Sequence, residues 1–306
     1  NPLMAYEKQY SDAVRASVET VYGAGFLSPG GAAEVGHILD GLAIEGRDVL
    51  DLGCGPGGGV VTLAGNLGAG RVLGIDVEAD TLERAAETVA AAGLADRITL
   101  KLVEPGPLPL PDRSFDVVFS KDVIAHVTDK DTLYDEILRV LRPGGAFAGS
   151  DWMRGGDGPL SKDFNDWLEQ LESSGLRFEF VTAAASARSL GAAGFEEVKV
   201  RDHSDWTLRE GRRNLDSILG PDRETLIDIL GEEGFEGLVF RTRARIAALD
   251  SRDLRHCHLR ARSPAYRGTH PHWRRPDERT CPLGPLLRPP DDIASAAERT
   301  SREQCL

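Results

Sequence analysis

The sequence predicts an α/β protein. Its core is a Rossmann-like, seven-stranded, mainly parallel sheet with helices on both faces, joined by a helical amino-terminal lid and an inserted helical cap. Three observations predict it. Strand-like runs at 49–52, 71–76, 98–103 and 109–120 alternate with helical stretches, the pattern of parallel strands linked by crossovers. The first run passes directly into Gly53-Cys54-Gly55-Pro56-Gly57-Gly58-Gly59 and then the apolar Val60-Val61-Thr62-Leu63-Ala64 of a helix. The second run closes on an acid, Asp76.

Residues 6–31 read as helical, because Val14, Val18, Val21 and Tyr22 recur at helical spacing. Gly30-Gly31 marks a break, and a second helix follows over 32–42. Residues 1–45 are read as the lid and 46–262 as the sheet domain. Residues 79–92 form a strongly helical crossover. Leu141-Arg142-Pro143-Gly144-Gly145 stops a helix and leads into a fifth strand over 146–151. Cap segments are expected at about 155–194 and 205–250. The first holds an acidic amphipathic helix with Phe164, Trp167, Leu168 and Leu171 on one side. The second is broken by Gly220-Pro221 and by the glycines from 231 to 237. Between them, residues 195–200 read as the penultimate strand, and 253–262 as the last, although His256-Cys257-His258 is an unusual triplet for one. After Ser263 the chain is rich in arginine, proline and histidine without hydrophobic periodicity, so 263–306 is expected to be a disordered tail.

At 306 residues the chain has room for one large or two small domains, and its 41% hydrophobic content is that of a globular protein. No run approaches the roughly 20 apolar residues of a membrane span, and no signal peptide is evident. A formal net charge of −13 argues against nucleic acid as a partner. Cys54, Cys257, Cys281 and Cys305 form no C-x-x-C pair, which fits a reducing cytoplasm. His256, Cys257, His258, His270 and His272 match no firm ligand spacing, so no metal is assigned. Oligomeric state stays open.

The glycine loop lies where open α/β sheets bind nucleotide-like ligands. Gly53, Gly55 and Gly58 alone also fit a dinucleotide fingerprint. Asp51 decides between the readings: a carboxylate there would repel a pyrophosphate and suit a cationic amino-acid group. The run Asp51-Leu52-Gly53-Cys54-Gly55-Pro56-Gly57, with Asp76, the acid Glu104 after the third strand and the Pro-Gly-Gly turn before the fifth, resembles the class I methyltransferases that use S-adenosylmethionine. Gln9-Tyr10-Ser11-Asp12, Tyr22-Gly23 with Phe26-Leu27-Ser28 and Gly30-Gly31, and Asp122 with His126 narrow the resemblance to phosphoethanolamine N-methyltransferases over about residues 10–151.

The resemblance implies S-adenosylmethionine as cofactor, with Leu27, Ser28, Asp51, Gly53, Gly55, Asp76, Val77, Glu104, Pro105 and Ser120 around it. It implies that His126, latched by Tyr10, accepts the acceptor's proton while Asp122 orients the amine. Gln9, Trp152, Arg177 and Phe178 would line the acceptor pocket. The acceptor is then a small molecule, most simply an amine. Departures from the family fall in the phosphate pocket. Val18, Trp152 and Phe178 stand where phenolic hydroxyls are expected, leaving an apolar aromatic wall and keeping open a C- or O-methyltransferase acting on a more apolar acceptor. A nicotinamide oxidoreductase and a non-catalytic binding protein are the distant alternatives.

Overall fold

A computed structural model describes residues 11–173 and 177–265. Of the tail expected to be disordered, residues 266–306 lie outside the described residues, as do Gln9 and Tyr10, whereas Ser263 is buried and its N–H donates to the Gly145 carbonyl. The sheet has seven strands: β1 (Asp48–Leu52), β2 (Arg71–Asp76), β3 (Ile98–Leu102), β4 (Phe115–Lys121), β5 (Leu141–Arg154), β6 (Glu196–Asp202) and β7 (Leu254–Arg262). Their order across the sheet is β3-β2-β1-β4-β5-β7-β6. The first five are mutually parallel, and β7 runs antiparallel between β5 and β6. The chain reverses direction across the sheet between β1 and β4, and the carboxyl ends of those two strands open onto one crevice.

Strand alternation divides the core. Leu50 and Leu52 face one layer with Phe115, Val118, Ile137 and Phe147. Val49 faces the other with Val35, Ile38, Leu63, Val117 and Phe119. By the same alternation Asp51 lies on the Val49 side, with Phe119 as a neighbour.

Nine helices are described. α1 (Asp12–Tyr22) begins at Ser11, whose hydroxyl accepts from the Val14 N–H. α2 is Gly31–Leu39 and α3 Gly58–Val61. The helix expected after the glycine loop is shorter than its apolar run implies. It passes into a π turn over Thr62–Asn66, where the Thr62 hydroxyl bonds the Gly58 carbonyl. α4 is Ala79–Ala91 and α5 Lys130–Val140.

β5 starts earlier than predicted. Leu141 already pairs with Phe115, and Pro143-Gly144-Gly145 is absorbed as a bulge before Ala146 pairs with Val117. α6 (Lys162–Ser173) buries Phe164 and Trp167 against Ala248, Leu249 and Leu254. α7 (Ala183–Ala192) is not part of the cap, because its Leu190 packs with Phe195 and Phe147 in the sheet layer. α8 (Ser204–Leu219) and α9 (Arg223–Asp250) form a hairpin, with α9 kinked at Gly231, whose φ is 72°. α1 and α9 meet where Arg245 Nη1 donates to Tyr22 Oη at 2.8 Å.

Candidate functional site

The glycine loop leaves β1 with three residues in the left-handed region: Gly53 (φ 71°), Gly55 (54°) and Gly57 (96°). Gly53 and Cys54 donate to the Ile75 carbonyl, which clips the loop to β2. Phe26 and Gly25 lie so close to Gly58 that a Cβ there would come within 2.6 Å of the Phe26 ring. The segment after α1 is thus seated directly on the loop.

Asp51 stands beneath this turn. It is 2% exposed, and its Oδ2 has no hydrogen-bond partner. Burial, reinforced by Asp76 and opposed by Lys121, pushes its carboxyl up to about 8. Gly59 leaves the room this oxygen needs, since a Cβ there would sit 2.6 Å from Oδ2. An orphaned buried carboxylate is costly unless a cation completes it.

Asp76 is held by the loop itself. Its Oδ2 accepts from Gly55 N–H at 2.9 Å, and its Oδ1 from Val77 and Glu78 N–H at 2.8 and 3.1 Å. A carboxylate has about four lone-pair sites, so one remains for a ligand hydroxyl. Glu104 and Pro105 are exposed past the end of β3. Ser120 turns away from the crevice: its hydroxyl donates to the Leu52 carbonyl at 3.2 Å, tying β4 to β1.

The end of β4 carries the strongest buried charges. Lys121 Nζ donates to Ser28 Oγ, to the Pro29 carbonyl at 2.9 Å and to Asp122 Oδ2 at 3.0 Å. Asp122 has a left-handed backbone (φ 59°), the rare conformation for a residue with a side chain. Its Oδ1 accepts from Ser150 Oγ at 2.9 Å and from His256 Nε2 at 2.8 Å. The Thr207 hydroxyl lies 2.8 Å from His256 Nδ1 and 3.3 Å from the His203 carbonyl. Asp122 only accepts, so His256 Nε2 carries a proton; burial lowers the ring's pKa, but Asp122 and Glu34 more than offset it and raise it. Burial drives the Asp122 carboxyl up, but Lys121 and His256 more than offset it and hold it well below the usual range. Asp151, buried beside Asp122, is pushed up to about 7 by burial and by that neighbouring charge.

His126 ends a 3₁₀ turn (Ile124–His126). Its Nδ1 lies 2.7 Å from the Arg177 carbonyl, which only accepts, so Nδ1 carries the proton and Nε2 has a free lone pair. Burial lowers its pKa, opposed by that carbonyl and by Asp122. Phe178 lies over the ring at 4.4 Å, and the Glu179 N–H anchors this segment on the Ala125 carbonyl at 2.7 Å. The Arg177 guanidinium, expected to line the pocket, belongs to an exposed residue, which meets His126 through its backbone instead. Trp152 is buried against His256 at 4.5 Å and Trp167 at 6.2 Å.

Three contributors escaped the sequence reading. Lys121 stands in the sequence between a strand and a turn with no sign of its buried contacts. His256 enters the sequence reading in an odd strand triplet and among histidines of no firm ligand spacing, not as a partner of Asp122. Arg245 is buried in α9, with Nε and Nη2 unpartnered and its guanidinium 5.7 Å above the Tyr22 ring. A cation at helical spacing carries no mark of burial in sequence, whereas a histidine in an apolar strand does.

Residues 49–145 match the family described as a methyltransferase domain. The chain has the Rossmann-like fold of class I methyltransferases. Within that class it is 31% identical over 232 residues to phosphoethanolamine N-methyltransferase 3 of Arabidopsis thaliana, covering 76% of this chain and 45% of that protein. It is 32% identical over 199 residues to the methyltransferase GfsG of Streptomyces halstedii, covering 62% and 65%. Phosphoethanolamine N-methyltransferase 2 of Haemonchus contortus, solved with phosphomonomethylethanolamine and S-adenosylhomocysteine, superposes with a TM-score of 0.76 at 26% identity, covering 84% of this chain and 59% of that one. The chain spans about half the length of the plant relatives it matches.

Proposed function

We propose that this chain transfers a methyl group from S-adenosylmethionine to the nitrogen of a small phosphorylated amine. The observation that carries the cofactor half is Asp51: an unpartnered carboxylate oxygen buried under a left-handed glycine turn. The residues fit this cofactor. Asp51 would take its ammonium, Gly53 and Gly55 its amino-acid end, and Asp76 a ribose hydroxyl, with Leu27, Ser28 and Val77 along the same crevice. When bound, S-adenosylmethionine supplies a methyl group on a positively charged sulfur.

His126 accepts the proton that the amine sheds. Its Nδ1–H is pinned to a carbonyl, which aims Nε2 outward, and burial keeps the ring neutral near pH 7. Asp122, held ionised, orients the amine; the family resemblance adds Tyr10 and Gln9, which lie outside the described residues. The acceptor's anionic end is assigned to Arg245, whose Nε and Nη2 are buried without a hydrogen-bond partner. Arg245 takes the part of the phenolic contacts that Val18, Trp152 and Phe178 have lost.

A second reading rests on the aromatic wall of Trp152, Trp167, Phe178 and Phe180, which suits an apolar acceptor methylated at carbon or oxygen. Incubation with labelled S-adenosylmethionine and a panel of phosphoethanolamine, ethanolamine, phenols and polyketide-like alcohols, read by product mass, separates the two. Turnover of phosphoethanolamine above ethanolamine supports the first reading. Turnover of the apolar acceptors alone overturns it.

A further inference from the structure

Across His256 from Asp122, a group of histidines closes around one buried acid. Glu34 of α2 is fully buried, with His37 one turn later on the same helix. His203 stands at the start of α8, and His258 projects from β7. Strand alternation puts His256 and His258 on one face and Cys257 on the other, in the sheet core.

Glu34 Oε2, His203 Nε2 and His258 Nε2 occupy one small space. The donor atoms of these three residues lie within 4.8 Å of one another. His258 Nε2 is 2.7 Å from Glu34 Oε1, and His203 Nε2 is 3.5 Å from Glu34 Oε2. Glu34 Oε2 and His203 Nε2 are both shielded from solvent, and neither makes a hydrogen bond. Two polar atoms facing each other, buried and unsatisfied, call for a group between them. A tetrahedral divalent ion with bonds of about 2.0–2.2 Å sets its ligands about 3.3–3.6 Å apart. The carboxylate–His203 separation already has that spacing. His37 Nδ1, 3.9 Å from Glu34 Oε2 and half-exposed, stands at the open side where a fourth ligand or water would enter.

We propose that Glu34, His203 and His258 bind one divalent transition-metal ion of the zinc class. The donor set is two imidazoles and a carboxylate, which suits Zn²⁺, Co²⁺ or Ni²⁺ and not Mg²⁺ or Ca²⁺. The ion ties α2 to α8 and β7. Its ligand His258 stands two residues along β7 from His256, the ring bonded to Asp122, so the ion braces the acceptor side of the site without touching the reacting atoms. This assignment does not depend on the identity of the acceptor.

The test uses the full chain, stripped with chelator and titrated with Co²⁺ and then Zn²⁺. Expected are one Co²⁺ per chain with the visible absorption of a tetrahedral site, its displacement by Zn²⁺, and a rise in Tm on adding either ion. His203→Ala and His258→Ala should each lower affinity at least a hundredfold, whereas a His270→Ala/His272→Ala double variant should keep it. If a single variant fails to fold, His203→Gln and the ligand-paired His37→Ala titrations supply the comparison. No stoichiometric binding overturns the proposal, as does binding that survives both histidine substitutions or vanishes with the tail histidines.

Discussion

Binding of S-adenosylmethionine is expected to expel a proton from Asp51. The carboxyl of the unliganded protein sits at about 8, so at pH 7 it is about nine-tenths protonated. The ligand's ammonium needs the carboxylate, and pairing with it drives the pKa below 7. About 0.9 proton is therefore released by the protein. The ligand's own amine, with a pKa of about 7.7–8.0, takes up about 0.1 on being fixed as the ammonium. The net release is about 0.8 proton per site at pH 7. Deprotonating Asp51 at pH 7 withholds about 1.4 kcal/mol of affinity, and the affinity should rise about ninefold between pH 6 and pH 7. Titration calorimetry in phosphate and in Tris, whose ionisation heats differ, reads the proton number directly. Asp51→Asn should bring the release close to zero and weaken binding. A wild-type release below about 0.3, or one that persists in Asp51→Asn, would refute the reasoning.

Four other outcomes follow from the same geometry. His126→Ala should lower kcat by about 10²–10⁴ while the Kd for S-adenosylmethionine stays within about threefold, as single-turnover rates and calorimetry would show. Arg245→Ala should raise KM for a phosphorylated amine by about tenfold or more and leave an unphosphorylated amine unaffected, which steady-state assays on both acceptors would test. Gly58→Ala places a Cβ against the Phe26 ring and the Gly25 carbonyl, so denaturant unfolding should show a loss of about 1–3 kcal/mol. For pH, Asp51 and Asp151 both have raised values in the fold, about 8 and about 7, so above pH 7, where the histidines of lowered pKa are largely neutral in both states, the native state binds more protons than the unfolded chain. Stability of the ligand-free protein should therefore fall as pH rises from 7 to 8, and a thermal-melt series in which Tm climbs over that window would contradict it.

How far the sequence carried depends on the range of each signal. The cofactor loop was legible because all its determinants lie within one strand-turn-helix: Asp51, the positive-φ glycines and the acid ending β2. Helical periods placed α4 for the same reason, whereas the helix read over 6–31 stops at Tyr22, where Gly23 takes a φ of 99°, and the break expected over 231–237 is only a kink at Gly231. Pro143-Gly144-Gly145 misled, because a turn signal cannot reveal that the partner strand will absorb it as a bulge. Leu190 and Phe195 made α7 look like any amphipathic helix, and only the sheet order assigns it to a layer. The histidine cluster was the least legible. Glu34, His203 and His258 are far apart in sequence, and their meeting depends on β7 inserting antiparallel beside β5.

That insertion governs when the molecule becomes competent. During synthesis β5 emerges with one side of its hydrogen-bonding ladder bare, and β6 has no neighbour at all until residues 254–262 arrive to bridge them. Until then Asp122 also lacks the ring that completes its charge balance. The glycine-loop crevice between β1 and β4 can close early, whereas the surroundings of Asp122 mature only once residues 254–262 have emerged. A lesion in β7 would thus leave that crevice formed and the pocket around Asp122 unmade.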